Sequence, residues 1–266
     1  MNIGIVGCGG RMGRMLIETV MATDGAALAG GTEQAGSPFV GQDLGLLVGS
    51  KTVGAVVMDD ARALFDASDV VIDFTVPAAT AAHAALAFDT RTAMVIGTTG
   101  LSPEQQSAVQ GGSETAAIVQ AGNMSLGVNL LVGLARQAAD LLGPDYDIEI
   151  VEMHHKHKID APSGTALMLG KAAAEGRGID HDANAVLSRE GQTGARPDQA
   201  IGYATLRGGD VVGDHTVIFA GPSERIELTH RASSREIFAR GAVRAAMWCE
   251  GRAPGLYSMR DVLGLT

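Results

Sequence analysis

The chain opens on a short apolar run, Met1 to Val6, which breaks into Gly7-Cys8-Gly9-Gly10-Arg11-Met12-Gly13 and then into a helical pattern from Arg14 to about Ala22. Strand, glycine turn and helix in that order make the first half of a βαβ unit, and no other stretch narrows the fold so far. Gly7, Gly10 and Gly13 stand in a G-x-x-G-x-x-G spacing, whereas the G-x-G-x-x-G register fails at Met12. Ala26 to Gly31 is the next strand. Glu33 follows it about 20 residues after the last glycine, where an acid can bind the ribose hydroxyls of an adenine dinucleotide. A plain tight turn and a solvated loop acid are the alternatives. Gln34 brings no charge for a 2′-phosphate, and Arg11 offers partial compensation.

Alternation continues downstream. Asp69 to Thr75, Ala93 to Ile96 and Ala116 to Val119 read as buried strands, separated by an Ala-rich helix from Ala78 and a second helix opened by Ser102-Pro103-Glu104-Gln105. Strands spaced by helices predict a doubly wound parallel sheet of the Rossmann type, with Gln34 to Thr52 as a polar, glycine-rich passage. In such sheets ligands sit beyond the carboxyl ends of the strands. Gly7 to Gly13, Gly97-Thr98-Thr99-Gly100 and Ala121-Gly122-Asn123-Met124 all fall there, the last two beside a nicotinamide.

A second regime starts near Ser125. A long helix from Asn129 to Leu142 precedes an alternating strand, Asp147 to Met153, and further strands are expected at Gly202 to Leu206, Gly213 to Ala220 and Arg225 to Ala232, followed by a helix from Ile237 to Cys249 and a short closing element from Tyr257 to Leu263. Successive strands joined by short turns predict an antiparallel or mixed sheet, hence an α+β substrate and assembly domain. Between them lies the densest chemistry of the chain, Glu152-Met153-His154-His155-Lys156-His157-Lys158-Ile159-Asp160-Ala161-Pro162-Ser163-Gly164-Thr165. Histidine titrates near neutrality and lysine is a compact cation, so the cluster can donate protons and hold an anion. Pro162 bars a continuing helix and Ser163 caps the next one, which leaves backbone N–H groups of Ser163, Gly164 and Thr165 for a carboxylate. Metal ligation by Glu152, His154, His155 and His157 is a competing reading, opposed by the divergence of adjacent strand residues. A solvated loop or subunit contact is another. His215 and His230 read as structural or substrate-proximal.

Composition excludes several classes. A formal net charge of -10 argues against nucleic acid and anionic membrane surfaces as partners. A hydrophobic content of 46% is ample for a core, yet no apolar run reaches the roughly 20 residues that span a bilayer. Cys8 and Cys249 lack C-x-x-C spacing, and no signal-peptide pattern precedes the first strand, so a reducing cytoplasm is expected.

With those residues assembled, the chain resembles the 4-hydroxy-tetrahydrodipicolinate reductase (dihydrodipicolinate reductase) family. The resemblance rests on Gly7 to Gly13, Gly97 to Gly100, Glu152 to Ala166, Ser188-Arg189-Glu190-Gly191, Gly208-Gly209-Asp210-Val211-Val212-Gly213 and Arg260-Asp261-Val262-Leu263. It implies a Rossmann domain over 1–124 completed by 235–266, and a substrate and oligomerisation domain over 125–234 through which four subunits associate. It also implies a cytoplasmic enzyme of diaminopimelate and lysine biosynthesis that reduces a cyclic imine dicarboxylate with NADH and/or NADPH, without a metal. On the family pattern His154 is the acid/base residue and Lys158 a proton donor, while His155, Ser163, Gly164 and Thr165 hold substrate. Gly7, Cys8, Gly9, Gly10, Arg11, Met12, Glu33, Gly97, Thr98, Thr99, Ala121, Gly122, Asn123 and Met124 would contact the dinucleotide. Gln34 departs from the Arg that bacterial relatives often carry, which weakens the expectation of NADPH. A different NAD(P)-dependent dehydrogenase and a non-enzymatic dinucleotide sensor are the rival classes; the first lacks a reason for the His/Lys/Pro-Ser-Gly-Thr constellation and the second needs no proton donor.

Overall fold

A computed structural model describes residues 1–265. In chain order its elements are β1 (Asn2–Val6), α1 (Arg11–Met21), β2 (Ala27–Thr32), α2 (Leu44–Leu47), β3 (Val57–Met58), α3 (Ala61–Asp66), β4 (Val70–Asp73), α4 (Pro77–Thr90), β5 (Ala93–Ile96), α5 (Pro103–Gly112), β6 (Ala117–Gln120) and α6 (Leu126–Leu142). There follow β7 (Asp147–His154), α7 (Gly164–Arg177), α8 (His181–Asn184), β8 (Ala185–Val186), β9 (Ile201–Arg207), β10 (Gly213–Gly221), β11 (Glu224–Ala232), α9 (Glu236–Trp248), β12 (Gly255–Tyr257) and α10 (Met259–Leu263). The chain divides into two units, one made of residues 1–126 with 236–264 and the other of 127–235 with Leu265.

The first unit is a seven-stranded sheet in the order β12-β6-β5-β4-β1-β2-β3, parallel in every pairing. Successive side chains on a strand point to opposite faces, and the core splits accordingly. Val70, Ile72, Val95 and Val119 join Leu16 and Ile17 of α1 and Ala242 and Ala246 of α9 in one cluster. Val71, Met94, Ile96 and Ile118 join Phe65 of α3, Ala84 of α4 and Val109 of α5 in another. This is the doubly wound sheet that the alternation predicts.

Local differences have local causes. The first helix starts at Arg11, three residues earlier than the glycine spacing suggests, because Gly10 is its N-cap and Gly13 lies inside it against β1's exit turn. A Cβ on Gly13 would stand 2.3 Å from the Gly7 carbonyl oxygen, so only glycine lets helix and turn approach this closely. Within the expected polar passage Asp43 caps α2, accepting from the Gly45 and Leu46 amides. The expected closing element is two elements: β12 pairs with β6, then Ser258 opens α10 with a capping box that includes Asp261.

The second unit is a mixed five-stranded sheet, β11-β10-β7-β9-β8, in which β10 runs antiparallel to β7 and β11 while β7, β9 and β8 are parallel. One face is covered by Leu131, Ala135 and Ala139 of α6 and Ala166, Leu169 and Ala173 of α7, packed on Ile148, Ile150, Ile201, Val217 and Phe219. Period two puts Glu152 and His154 on that same inward face of β7, at the end where the apolar packing stops.

Candidate active site

In the first unit a cavity of about 650 Å³ lies beyond the carboxyl ends of β1, β2 and β4. Gly7, Gly9, Gly10, Glu33 and Gln34 line it, joined by Thr32, Phe39, Asp59, Phe74, Thr75, Val76 and His83. Glu33 Oε1 accepts from the Gly9 amide at 2.7 Å, which clasps the glycine turn to the end of β2. No side chain caps α1, unlike α2, α3, α5 and α7, so its first amides are left to an anion. Glycine turn, uncapped helix end and acid at the edge of one cavity fit an adenine dinucleotide.

Other predicted cofactor positions are distributed differently. Arg11 and Met12 begin α1, with Arg11 exposed and Met12 packed on the core. The Cys8 side chain is fully buried among core residues, and burial first, then Glu33, pushes its thiol up to about 12. Gly97, Thr98 and Thr99 leave β5, and Ala121, Gly122, Asn123 and Met124 leave β6, the strands that follow β4 away from β1. Thr98 turns its hydroxyl inward, donating to Asp73 Oδ1 at 3.2 Å and accepting from Thr80 at 2.9 Å, and Met124 is buried. From Cys8, Thr98 and Met124, therefore, only the main chain is left to meet a ligand.

Asp73 is the centre of a polar cluster that the sequence did not announce. It is fully buried, accepts from the Thr75 amide and hydroxyl at 2.8 and 2.6 Å, and pairs with His83 Nδ1 at 2.8 Å. Burial works to raise this carboxyl, but the His83 and Thr75 bonds outweigh it and hold it below the ordinary value. His83 thereby sits at the cavity wall with one ring nitrogen engaged.

The second unit carries the histidine and lysine cluster. His154 ends β7, and its Nδ1 lies 2.5 Å from Glu152 Oε2. Arg207, at the end of β9 and opposite His154 in the parallel register, donates to both Glu152 oxygens at 2.9 and 3.0 Å. The Ser163 amide donates to Glu152 Oε1 at 3.1 Å, and the Ser163 hydroxyl caps α7 by accepting from the Ala166 amide. Gly164 and Thr165 are the first residues of that helix. Lys158 Nζ lies 2.8 Å from Asp160 Oδ1, and the Asp160 carbonyl accepts from Arg207 at 2.6 Å. His155 turns elsewhere: its amide donates to the Val211 carbonyl, and its ring faces His157 at 6.2 Å and accepts from Arg235 at 3.5 Å.

His215 of β10 completes the group. Its ring stands edge-on to His154 at 5.0 Å, and its Nε2 is 3.2 Å from the Ser163 hydroxyl. Burial, then the neighbouring His154, lowers it to about 4, so it is neutral across the physiological range. Burial also lowers His154, more than Glu152 raises it, while Glu152 itself is held down by Arg207 and His154 against its own burial. The arrangement holds a histidine able to give or take a proton, a lysine on a short loop and a helix amino end. Arg207, His215 and Arg235 lie far from the cluster in sequence; Glu152 carries a signal there, being two residues from His154 on one strand face, and His215 reads as structural or substrate-proximal, whereas nothing points to Arg207 or Arg235.

The dihydrodipicolinate reductase N-terminal domain matches residues 1–124, and its C-terminal domain matches residues 127–263. The 4-hydroxy-tetrahydrodipicolinate reductase of Afipia carboxidovorans is 57% identical over 265 residues, covering 100% of this chain and 97% of that relative. That of Brucella abortus is 54% identical over 266 residues, with 100% and 99% covered. Among solved structures, a dipicolinate-bound dihydrodipicolinate reductase from Paenisporosarcina superposes with a TM-score of 0.78 at 26% identity, covering 98% of each chain. Two consecutive domain matches and full-length identity above half leave one conclusion: this chain belongs to the 4-hydroxy-tetrahydrodipicolinate reductase family.

Proposed function

We propose that this chain reduces 4-hydroxy-tetrahydrodipicolinate to tetrahydrodipicolinate, with loss of water, in diaminopimelate and lysine biosynthesis, and that His154 and Lys158 carry its proton chemistry. It is an NAD(P)H-dependent oxidoreductase, and its relatives are named as reductases. The dinucleotide, when bound, supplies hydride to a ring carbon conjugated with the imine. The resulting enamine must then gain a proton on carbon, and the acid for that step has to stand beside the ring. His154 Nε2 and Lys158 Nζ are the groups available, while the amino end of α7 binds a substrate carboxylate; the Ser163 amide is already given to Glu152, and the His155 ring, turned to His157 and Arg235, stands outside that group.

One observation carries this reading. Glu152 binds both His154 and the Ser163 amide, so the proton donor and the anion-holding helix end are registered on the same carboxylate. The test couples the protein to a dihydrodipicolinate synthase, pyruvate and aspartate semialdehyde and follows the loss of reduced nicotinamide. Synthase-dependent oxidation is expected, and its absence with both NADH and NADPH refutes the assignment. His154→Gln and Lys158→Ala should each lose on the order of 10²- to 10⁴-fold in kcat while keeping dinucleotide affinity.

NADH is proposed as the better reductant. Glu33, Gln34 and Asp59 line the cavity and neither Lys nor Arg is among its lining residues, so a 2′-phosphate would meet negative charge. Gly7, Gly9 and Gly10 and the amides of Arg11 and Met12 would take the pyrophosphate, Glu33 a ribose, and the main chain at Gly97 to Thr99 and Ala121 to Met124 the nicotinamide half. A homotetramer is proposed on the outward face of the second unit's sheet, where Val151, Met153, Ala204, Leu206 and Ile218 are half-buried or exposed. Sedimentation of the purified protein reads its mass. No helix among the described residues is long and apolar enough to cross a membrane.

A further inference from the structure

Glu152 is 1% exposed on a strand whose other inward residues are Ile148, Ile150 and His154. A carboxylate in such a place is costly unless its oxygens are filled. They are filled completely. Oε2 receives His154 Nδ1 and Arg207 Nη1, and Oε1 receives Arg207 Nη2 and the Ser163 amide, all between 2.5 and 3.1 Å.

Each of these bonds has a consequence for the site. A carboxylate can only accept, so the His154 nitrogen facing it must carry the hydrogen, and Nε2 is left as the nitrogen that exchanges a proton with a ligand. Beside Nε2 stands Gly213, whose absent Cβ would lie 3.0 Å away, so the space at that nitrogen is kept open by a glycine. Arg207 is a fork that holds both oxygens at once and prevents Glu152 from rotating away from the ring. The same guanidinium reaches the Asp160 carbonyl, and Asp160 pairs with Lys158, so the lysine loop is tied to the same anchor.

We infer that Glu152 and Arg207 are positioning residues that fix the His154 tautomer and bind the His154 ring, the amino end of α7 and the Lys158 loop into one register. The inference rests on His154 being the proton-exchanging residue proposed above. The groups facing His154 are Glu152 from β7, Arg207 from β9, His215 from β10 and Lys158 from the loop; of these only Glu152 favours the imidazolium.

The experiment has a part that needs no variant. Long-range proton-nitrogen NMR of histidine-labelled wild-type protein at high pH should give His154 protonated on Nδ1 with Nε2 bare, and the opposite tautomer overturns the inference. In steady-state assays of the full-length enzyme, Glu152→Gln should lose on the order of 10²- to 10⁴-fold in kcat with the dinucleotide KM kept, because an amide can present a hydrogen to Nδ1 and select the wrong tautomer. The alkaline limb of its kcat/KM profile should move to lower pH, since the charge that favours imidazolium is gone. Arg207→Lys, which can grip one oxygen, should retain more kcat than Arg207→Met. If Glu152→Gln turns over like wild type with an unmoved limb, while His154→Gln is inactive, the positioning role fails and the reaction assignment stands. If wild type itself shows no synthase-dependent oxidation, the reaction assignment fails, and the NMR tautomer still decides the clamp.

Discussion

His215 should make the second unit lose stability as the pH falls toward 5. The ring is 3% exposed, its Nδ1 has no hydrogen-bond partner, and its Nε2 meets only the Ser163 hydroxyl. Burial and the neighbouring His154 place its pKa at about 4 in the folded chain, against about 6.5 unfolded. The unfolded chain therefore binds the extra proton first, and stability present above about pH 6.5 is lost progressively down to about pH 4. Between about pH 8 and about pH 5 the loss from this one group is about 2 kcal/mol, approaching about 3 kcal/mol when titration is complete. Urea unfolding at those two pH values, on wild type and on His215→Gln, isolates the contribution. The variant should lose about 2 kcal/mol less than wild type across the interval, because buried carboxylates such as Glu152 and Asp73 are held below their ordinary values and titrate lower still. Equal losses in the two proteins would refute the account, since the ring would then be solvated or charged in the native state.

Three further outcomes follow from named contacts. Gln34→Arg puts a cation into a cavity whose lining acids are Glu33 and Asp59, and the ratio of NADPH to NADH kcat/KM should rise on the order of tenfold or more in parallel assays. Gly213→Ala crowds His154 Nε2 at 3.0 Å and should reduce kcat about tenfold to a hundredfold, with a thermal midpoint close to wild type and dinucleotide KM unchanged. Arg196 donates to Glu149, Asp147 and the Ile148 carbonyl, pinning the segment between β8 and β9 to β7; Arg196→Ala should cost about 1–3 kcal/mol and open that segment to limited proteolysis.

The fold was legible wherever a residue's role is set by its neighbours along the chain. Val70 and Ile72 against Val71 divide between two core clusters, and that period is written in the apolar run itself. Ser102 and Ser163 announce their helices because a cap is a local bond. Legibility failed where an element is too short to carry a period or depends on distant contact. Val57–Met58 is a two-residue strand defined by pairing with β2, and Gly13 tolerates a helix because its missing Cβ clears the Gly7 carbonyl. Cys8 looked like part of a ligand turn because it stands in the glycine turn after β1; its side chain is in the core because Gly31 leaves room for the sulfur.

The candidate site divides along the same physical line. His154, Lys158 and Ser163 stood out because reactive types crowd one stretch, and Glu152 could have been joined to His154 by strand period alone. What period cannot supply is the partner of a partner. Arg207 is 55 positions from Glu152 and becomes its clamp only because β7 and β9 lie side by side with His154 opposite Arg207. His215 reaches His154 through the antiparallel pairing that sets it against Glu152. Those two registers set the ring's surroundings: one brings the fork that keeps Glu152 charged and fixed, and the other lays the buried His215 ring edge-on against it. On the proposed reading, sequence identifies which groups can move a proton, whereas strand register decides which nitrogen of His154 is left to do so.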